Sequence, residues 1–443
     1  MIAGRTATIR ARCATALFTG TAAFFVMPSA AQAQVETQVR VSAGAGAETN
    51  AFLRDGDDTT ALRGTIEIEP SLYYQDERTT FRIAGDIRFE QYSERYGTQD
   101  AYYITGGGAT RLNERTSLNA TVGFRSSRNR AQDFIRGGLV GFDDPTDEFV
   151  DTDDLGPELG IDDGNIGVDA GLDPGEFPLV DFSDPTLAGL GTRSESLSAS
   201  ASIRHILSPR DSFAVGIRAS ERSTARIDAF DYRQAGAFFS WAHQLSPRRN
   251  LQTNIDASRV ERVGTSVGDA YYVSPLIGIS QQLSPTQSLT LQAGASFSWV
   301  NTATGETFSN TSFAFNGSFC NRGARTNLCI NGSRSARPTT FGGLSNSTTV
   351  GVNYSRALSE RDSISVNARY GRASRLGNVQ LVEDLPVDSE VYGAQARYRT
   401  YFGNRLSAFL TAGVSDSSSN FGTNRDPNLL FEIGISYLFG EIS

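Results

Sequence analysis

Hydrophobic and polar residues alternate one by one along most of the chain. Residues 118–125 read Leu-Asn-Ala-Thr-Val-Gly-Phe-Arg, and residues 289–297 read Leu-Thr-Leu-Gln-Ala-Gly-Ala-Ser-Phe. Residues 429–439 repeat the pattern, with Leu, Phe, Ile, Ile, Tyr and Phe at alternate positions. A period of two places successive side chains on opposite faces of a β-strand. The pattern therefore predicts strands of about 10 to 15 residues, longer than the mean strand of soluble proteins.

A short polar phrase recurs between these alternating segments. It reads Leu-Ser-Pro-Arg-Asp-Ser-Phe at 207–213 and Leu-Ser-Pro-Arg-Arg-Asn-Leu at 245–251. Ser, Asn, Asp and Pro near the start of such a phrase favour a tight turn. The sequence therefore predicts seven short turns, and the related or looser copies lie at 75–78, 112–118, 283–289, 358–364 and 402–405.

The opposite ends of the predicted hairpins are longer and polar, and the two longest segments are 131–193 and 303–346. Short turns on one side and long loops on the other are typical of transmembrane antiparallel up-and-down β-barrels, with periplasmic turns and extracellular loops. Seven turns, with both termini at the periplasmic edge, predict about 16 strands, and a hairpin hidden in 303–346 would make about 18. Because a lipid-exposed sheet edge is costly, we expect the first strand to pair with the last.

Charge placement distinguishes this all-β barrel from a soluble sandwich or a surface repeat protein. Residues 81–89 alternate Phe, Ile, Gly, Ile and Phe with Arg, Ala, Asp and Arg. An Arg at the lipid midplane costs roughly 2–4 kcal/mol, so the face without charges must be the lipid-facing one. The charged residues are expected to line the lumen. The predicted lumen wall consists of Arg82, Asp86, Arg88, Glu90, Arg125, Arg218, Arg369, Arg397 and Arg399.

The N-terminal residues have the pattern of a secretory signal peptide. Arg5, Arg10 and Arg12 precede a short apolar run at 14–26, and Ser-Ala-Ala-Gln-Ala follows at 29–33. The apolar run is too short for a membrane-spanning helix, and the small residues suit signal peptidase. We predict a signal peptide at 1–33, a mature barrel at 34–443 and localisation in the cell outer membrane.

Acidic residues are concentrated in one predicted loop. The chain has a net charge of −9, yet residues 131–192 hold 16 acids against one base, Arg136. In general porins the loop at this position, the third, folds into the lumen, where opposed charges orient solutes. A solvated external loop and weak calcium binding through its Asp residues are the alternatives, and no other cofactor is expected. The acids predicted to form a pore constriction are Asp143, Asp144, Asp147, Glu148, Asp151, Asp153, Asp154, Asp162 and Asp163.

Cys320 and Cys329 are the cysteines that remain once the predicted signal peptide is removed. They share one predicted loop of an exported chain, so we expect a disulfide that staples this loop, with free thiols as the alternative. His205 and His243 stand at equivalent positions before two turns and are interpreted as anchors at the membrane interface. A catalytic His would need a nucleophile and an orienting carboxylate around one copy, so we do not expect an enzyme or a metal site.

The repeated Leu-Ser-Pro-Arg-type turn and the Gly- and aromatic-rich alternating strands resemble the β-barrel porin 2 family of outer-membrane proteins, over nearly all of the mature chain. The resemblance implies a porin-like barrel, and some members of that family resemble barrels associated with exopolysaccharide export. Outer-membrane barrels generally end on an aromatic residue used in assembly. Here Phe439 is followed by Gly-Glu-Ile-Ser at 440–443, so this signal is displaced.

Three functions are compatible with this sequence. The first is a porin-like channel for polar solutes narrowed by the acidic loop, and the second is a conduit or accessory barrel for exopolysaccharide export with periplasmic export proteins. The third is a structural or surface-interaction barrel without an open pore. A barrel of about 16 strands leaves an aqueous lumen unless loops fill it, which favours the channel. Expected partners are outer-membrane lipid, lipopolysaccharide and the barrel-assembly machinery, without nucleic acid, and the oligomeric state is left open.

Overall fold

The computed structural model describes the strands and part of their connections. The described residues are 34–53, 60–93, 96–128, 192–225, 231–262, 269–301, 306–339, 343–376, 388–419 and 426–440. The predicted signal peptide and all of the predicted constriction acids lie outside these residues.

The described residues form 18 strands in one sheet. The odd-numbered strands run away from the edge that holds Gln34, the first described residue: β1 (Gln34–Glu48), β3 (Thr79–Tyr92), β5 (Thr116–Ser127), β7 (Asp211–Thr224), β9 (Arg249–Arg262), β11 (Gln287–Asn301), β13 (Thr326–Thr339), β15 (Asp362–Arg375) and β17 (Leu406–Ser419). The even-numbered strands return: β2 (Ala61–Gln75), β4 (Thr98–Asn113), β6 (Ser194–Ser208), β8 (Tyr232–Ser246), β10 (Ala270–Ser284), β12 (Thr307–Arg322), β14 (Gly343–Ala357), β16 (Asp388–Tyr401) and β18 (Asn428–Gly440).

The sheet closes into an antiparallel barrel. Each strand pairs with the next one along the chain, and β1 also pairs with β18. The β1–β18 pairing runs from Gln38 opposite Gly440 to Glu48 opposite Leu430. The predicted pairing of the first and last strands is thus confirmed. Closure satisfies backbone groups that would otherwise meet lipid unpaired.

The preferred count of about 16 strands is too low, and the alternative of 18 is right. Residues 303–346 are not one long loop, because they contain β12, β13 and the start of β14. The missed turn joins β12 to β13 at Gly323, where backbone hydrogen bonds link Gly323 and Thr326 in both directions, at 2.8 and 3.3 Å. The hydrogen bonds described across this turn join backbone groups. No Ser or Asn side chain is needed there, and the recurrent phrase is absent.

The recurrent phrase has a physical basis in the other turns. Ser208 Oγ accepts hydrogen bonds from the backbone N–H groups of Arg210 and Asp211, both at 3.1 Å, and donates to Asp211 Oδ2 at 2.8 Å. Ser359 makes the same contacts with Arg361 and Asp362. The opening Ser therefore caps amides that the tight turn leaves without a ladder partner. These turns lie at the edge that holds both described chain ends, as predicted.

The outward face of the barrel carries exposed apolar side chains. Ile217, Ile433 and Ile277 are 66%, 60% and 59% exposed, although all three lie within regular strands. An apolar surface of this extent suits contact with lipid rather than water. No helix in the described part of the chain is long and apolar enough to cross a membrane.

Candidate functional site: the lumen of the barrel

The register places every residue of the predicted lumen wall on the face opposite the apolar belt. In β3, Arg88 and Glu90 are 1% and 3% exposed, whereas Phe89 between them is 40% exposed. Arg125 and Arg399 are both 6% exposed and follow the same alternation in their own strands. The remaining members, Arg82, Asp86, Arg218, Arg369 and Arg397, also have inward register positions. The charged residues are therefore drawn from several strands around one enclosed space.

An ionic cluster joins the strands at which the barrel closes. The guanidinium of Arg63 on β2 contacts Glu48 of β1 at 3.2 Å, Glu90 of β3 at 3.3 Å and Glu432 of β18 at 2.5 Å. Tyr92 donates a hydrogen bond from its hydroxyl to Glu48 Oε2 at 2.9 Å. We call Arg63, Glu48, Glu90 and Glu432 the closing-strand cluster. Its four side chains are at most 4% exposed, and its three carboxylates face a single Arg.

Further ion pairs extend the charged wall below this cluster. Arg88 contacts Asp86 at 2.9 Å and Glu67 at 3.3 Å, and Arg40 lies 3.5 Å from Glu69. These contacts again join β1, β2 and β3. Buried charges are retained where opposite charges and hydrogen bonds compensate the lost hydration, and each carboxylate named on this side of the lumen contacts an Arg.

Arginines are distributed differently on the strands farther from the closure. Arg218 on β7 pairs with Asp256 on β9. Arg397 on β16 donates to Thr411 at 3.2 Å and lies 4.9 Å from the ring centre of Phe409. Arg218 is thus neutralised by a carboxylate, whereas Arg397 has a hydroxyl group and an aromatic ring as neighbours on the lumen wall.

The lumen faces of β10 to β14, which we call the neutral wall, carry hydroxyl and amide groups. Within the described residues, the charged side chains with inward register positions on these strands are Arg322 and Arg337, each near a strand end. Ser274 and Ser296 are hydrogen-bonded to each other at 2.5 Å. Hydrogen-bonding residues of this wall include Gln292, Ser298, Asn316, Ser318, Asn331, Ser333, Thr349 and Asn353. The lumen is therefore divided into a charged side and an uncharged polar side.

Two groups of apolar residues pack inside the extracellular end of the barrel. One joins lumen-facing residues of β8 to β11 with residues at the tops of β13 to β15: Tyr232, Val260, Ala270, Tyr272, Val300, Ala336, Leu344 and Leu376. The other contains Phe52, from the connection after β1, and Tyr96, whose rings lie 5.0 Å apart. Alternation along the strands does not predict these groups. Their members come from strands that are distant in sequence, so only the register of the closed barrel brings them together.

The wall parts between the upper halves of β12 and β13, a region that we call the split. The ladder between these strands runs from Arg322 opposite Asn327 to Phe315 opposite Arg334. Above that point, in the part of the chain that the structure describes, β12 is paired with β11 and β13 with β14. The backbone N–H of Ala336 on β13 donates to the lumen-facing Ser296 of β11 at 3.3 Å. Upper β13 has therefore moved to the lumen side of the wall.

Cys320 and Cys329 form a disulfide directly opposite each other on β12 and β13. It does not staple an extracellular loop, because both residues lie in strands near the periplasmic turn at Gly323. Their register positions face the lumen. The disulfide thus holds together the lower part of the strand pair that parts above.

Neither comparison by sequence yields a relative: no protein-family profile matches the chain, and no curated protein matches it. Several solved structures are similar in shape. OccK2 (OpdF) of Pseudomonas aeruginosa, in complex with glucuronate, gives a TM-score of 0.42 at 8% identity, covering 92% of this chain and 99% of that chain. A BenF-like porin from Pseudomonas fluorescens Pf-5 gives 0.41 at 10% identity, covering 93% and 99%.

The FrpB iron transporter from Neisseria meningitidis gives a TM-score of 0.39 at 9% identity, covering 91% of this chain and 82% of that chain. Likeness at these TM-scores carries no argument about what this chain transports. The architecture instead rests on the closed strand register, the apolar belt and the polar lumen described above. Together these are the features of an outer-membrane β-barrel.

Proposed function

We propose that this chain is a porin-like channel for the passive passage of polar solutes across the outer membrane. The observation that carries the proposal is the lumen face, which presents paired charges on one side and hydroxyl and amide groups on the other. Such a surface is costly against lipid but suits water and polar solutes. A barrel of this strand number also encloses more space than its wall side chains fill.

The acidic loop at 131–193 belongs to this proposal as the constriction. Its acids would face Arg residues of the wall such as Arg397, which does not belong to the closing-strand cluster. Membership of the β-barrel porin 2 family, export by the signal peptide at 1–33 and contact with lipopolysaccharide and the assembly machinery are parts of the same proposal. The channel has no enzymatic role in this proposal.

Single-channel conductance of the refolded mature chain in a planar bilayer tests the proposal. We expect stable conductance with cation preference, and deletion of 134–190 should raise the conductance and reduce that preference. Conductance that deletion leaves unchanged would place the acidic loop outside the pore. A folded barrel without conductance in either form would contradict the channel.

The neutral wall supports a second candidate, a conduit for an uncharged sugar polymer. Side chains that donate and accept hydrogen bonds without net charge match sugar hydroxyl groups. Swelling of proteoliposomes in neutral oligosaccharides of increasing length distinguishes the two functions. A channel for small solutes should lose permeation steeply beyond a few sugar units, whereas a polymer conduit should admit long oligosaccharides.

A further inference from the structure

Arg334 lies at the lower end of the split with an outward register position. It is opposite Phe315 on β12 and Thr348 on β14, both of which belong to the outer face. Phe313 and Phe315 stack at 6.0 Å, and Phe313 is 59% exposed toward lipid. Ile330, on the same face of β13, is 41% exposed. Arg334 is therefore a charge set among apolar, lipid-facing side chains.

Three other outward Arg residues have acidic partners. Arg233 lies 3.1 Å from Glu221, Arg259 lies 2.6 Å from Asp269, and Arg372 lies 3.4 Å from Asp388. No carboxylate of the described residues pairs with Arg334, and its Nε is buried without a hydrogen-bond partner. A buried donor without a partner is unfavourable, and more so when it is charged. An Arg in the lipid belt that has no carboxylate partner among the described residues is thus matched to a ligand that brings its own anion.

The backbone at this point also differs from the rest of the wall. Upper β12 and upper β13 are not paired with each other, and Ala314 on β12 and Ala336 on β13 are both buried. The lumen side of this junction belongs to the neutral wall, with Ser312 and Asn316 of β12 beside it. Strands β10 to β14 contain no carboxylate that would repel an anion.

We propose that the split is a lateral binding site for an anionic amphiphile, with its carboxylate or phosphate head at Arg334 and its alkyl chain against Phe313 and Phe315. The Arg fork binds such a head through two parallel hydrogen bonds. The two Phe rings offer apolar surface continuous with the lipid. The site would lie on the outer face of the barrel, separate from passage along the barrel axis.

The parting of the strands is tested first by cross-linking. Ala314→Cys with Ser335→Cys adds the lumen-facing pair that would come next if the ladder continued. Asn316→Cys with Ser333→Cys is the matched control, since these residues are paired and share the face and pairing class of Cys320 and Cys329. Under mild oxidation the control should cross-link and the upper pair should not. Equal cross-linking of both pairs would overturn the split.

Binding is tested by tryptophan quenching with 11-bromoundecanoate in phosphatidylcholine bilayers. The reporter is Phe313→Trp in a background in which the two native tryptophans, Trp241 and Trp299, are Phe. A chain that keeps Trp241 alone, on the outer face of β8, reports ordinary partitioning into lipid. We expect a saturable component at position 313 and none at 241. Thr311→Trp replaces the reporter if Phe313→Trp does not fold.

Arg334→Gln should weaken the saturable component at least tenfold, whereas Arg372→Gln, which removes an acid-paired outward Arg, should leave it unchanged. Uncharged 11-bromoundecanol should give no saturable component. Loss of the signal in bilayers that contain phosphatidylglycerol would assign the site to a lipid head, and its persistence there would assign it to a free amphiphile. Absence of saturation at 313, or saturation that survives Arg334→Gln, would overturn the proposal, and neither result depends on conductance.

Discussion

The closing strands and the split are two junctions of the same barrel that are held together in opposite ways. At the closure, β18, β1, β2 and β3 come from the two ends of the chain and are joined by ladders and by the closing-strand cluster. At the split, β12 and β13 are neighbours in sequence and are joined by a tight turn, a disulfide and half a ladder.

The difference follows from loop-closure entropy. Joining β1 to β18 brings together residues almost a whole chain apart, and the entropic cost of closing a loop grows with its length. Arg63 on β2 contacts all three of the other strands, β1, β3 and β18. It therefore restrains their relative register more than an ion pair between two strands would. A hairpin closes a short loop, so β12 and β13 stay paired near their turn although their upper halves are not paired with each other.

The largest effect on this comparison is expected from Arg63→Leu. The substitution leaves three buried carboxylates without their cation, and breaking a buried ion pair in this way costs about 3–5 kcal/mol. The measurement is the free energy of unfolding in urea from lipid bilayers, followed by tryptophan fluorescence. The matched control is Arg233→Leu on the outer rim, whose pair with Glu221 is more than half exposed and should contribute less than about 1 kcal/mol. Equal losses from both variants would show that the cluster does not lock the closure.

A smaller and local effect is expected from Cys320→Ser combined with Cys329→Ser. The disulfide closes a loop with a sequence separation of 9, for which the chain-entropy relation gives about 2–3 kcal/mol. Hydrogen exchange should report faster exchange of amides in β12 and β13 and unchanged exchange in β1 and β18. Reduction of the native disulfide should reproduce the variant. Faster exchange spread evenly around the barrel would mean that the two junctions are not independent.

The sequence predicted the architecture because each of its signals is local. The alternation at 118–125 and the phrase at 207–213 depend only on contacts within one strand or one turn. They can therefore be interpreted without knowing which strands are neighbours. The β12–β13 hairpin was not preferred because Gly323 supplies its turn through backbone hydrogen bonds, and glycine there carries no polar signature. The pairing of Cys320 with Cys329 was expected, but its place in the barrel depended on that missed hairpin.

The site was less predictable for a related reason. Alternation assigned Arg88 and Arg125 to the lumen, yet it gave no means of combining Arg63 with Glu432, since that contact depends on the closing register. Leu344 and Ala336 follow a strand pattern and still pack inside the mouth, because upper β13 leaves the wall. Arg334 looks like one more alternating charge until the register places it on the outer face. Each of these residues is defined by which strand lies beside it.

The smallest effect on stability is expected from the turns of the two junctions, the β2–β3 turn near the closure and the β12–β13 turn below the split. Asp76, in the turn between β2 and β3, accepts hydrogen bonds from the backbone N–H groups of Arg78 at 2.8 Å and Thr79 at 2.6 Å, and from Tyr74 at 2.8 Å. Partial burial acts to raise the pKa of Asp76, but these hydrogen bonds outweigh it and hold the pKa below its usual range. The turn at Gly323 has no titrating group in its backbone hydrogen bonds.

A carboxyl group whose pKa is lower in the folded state stabilises that state above its unfolded pKa, about 3.9 for Asp. This contribution is lost as the pH falls through the lower, folded value. Asp76→Asn keeps an oxygen that can accept the same amide hydrogen bonds but does not titrate. The free energy of unfolding of the native chain minus that of Asp76→Asn should therefore be positive at pH 7 and decline below about pH 4. A difference that grew as the pH fell would mean that folding raises this pKa. The turn at Asp76 would then not be stabilised by an ionised carboxylate, and in this respect it would not differ from the turn at Gly323.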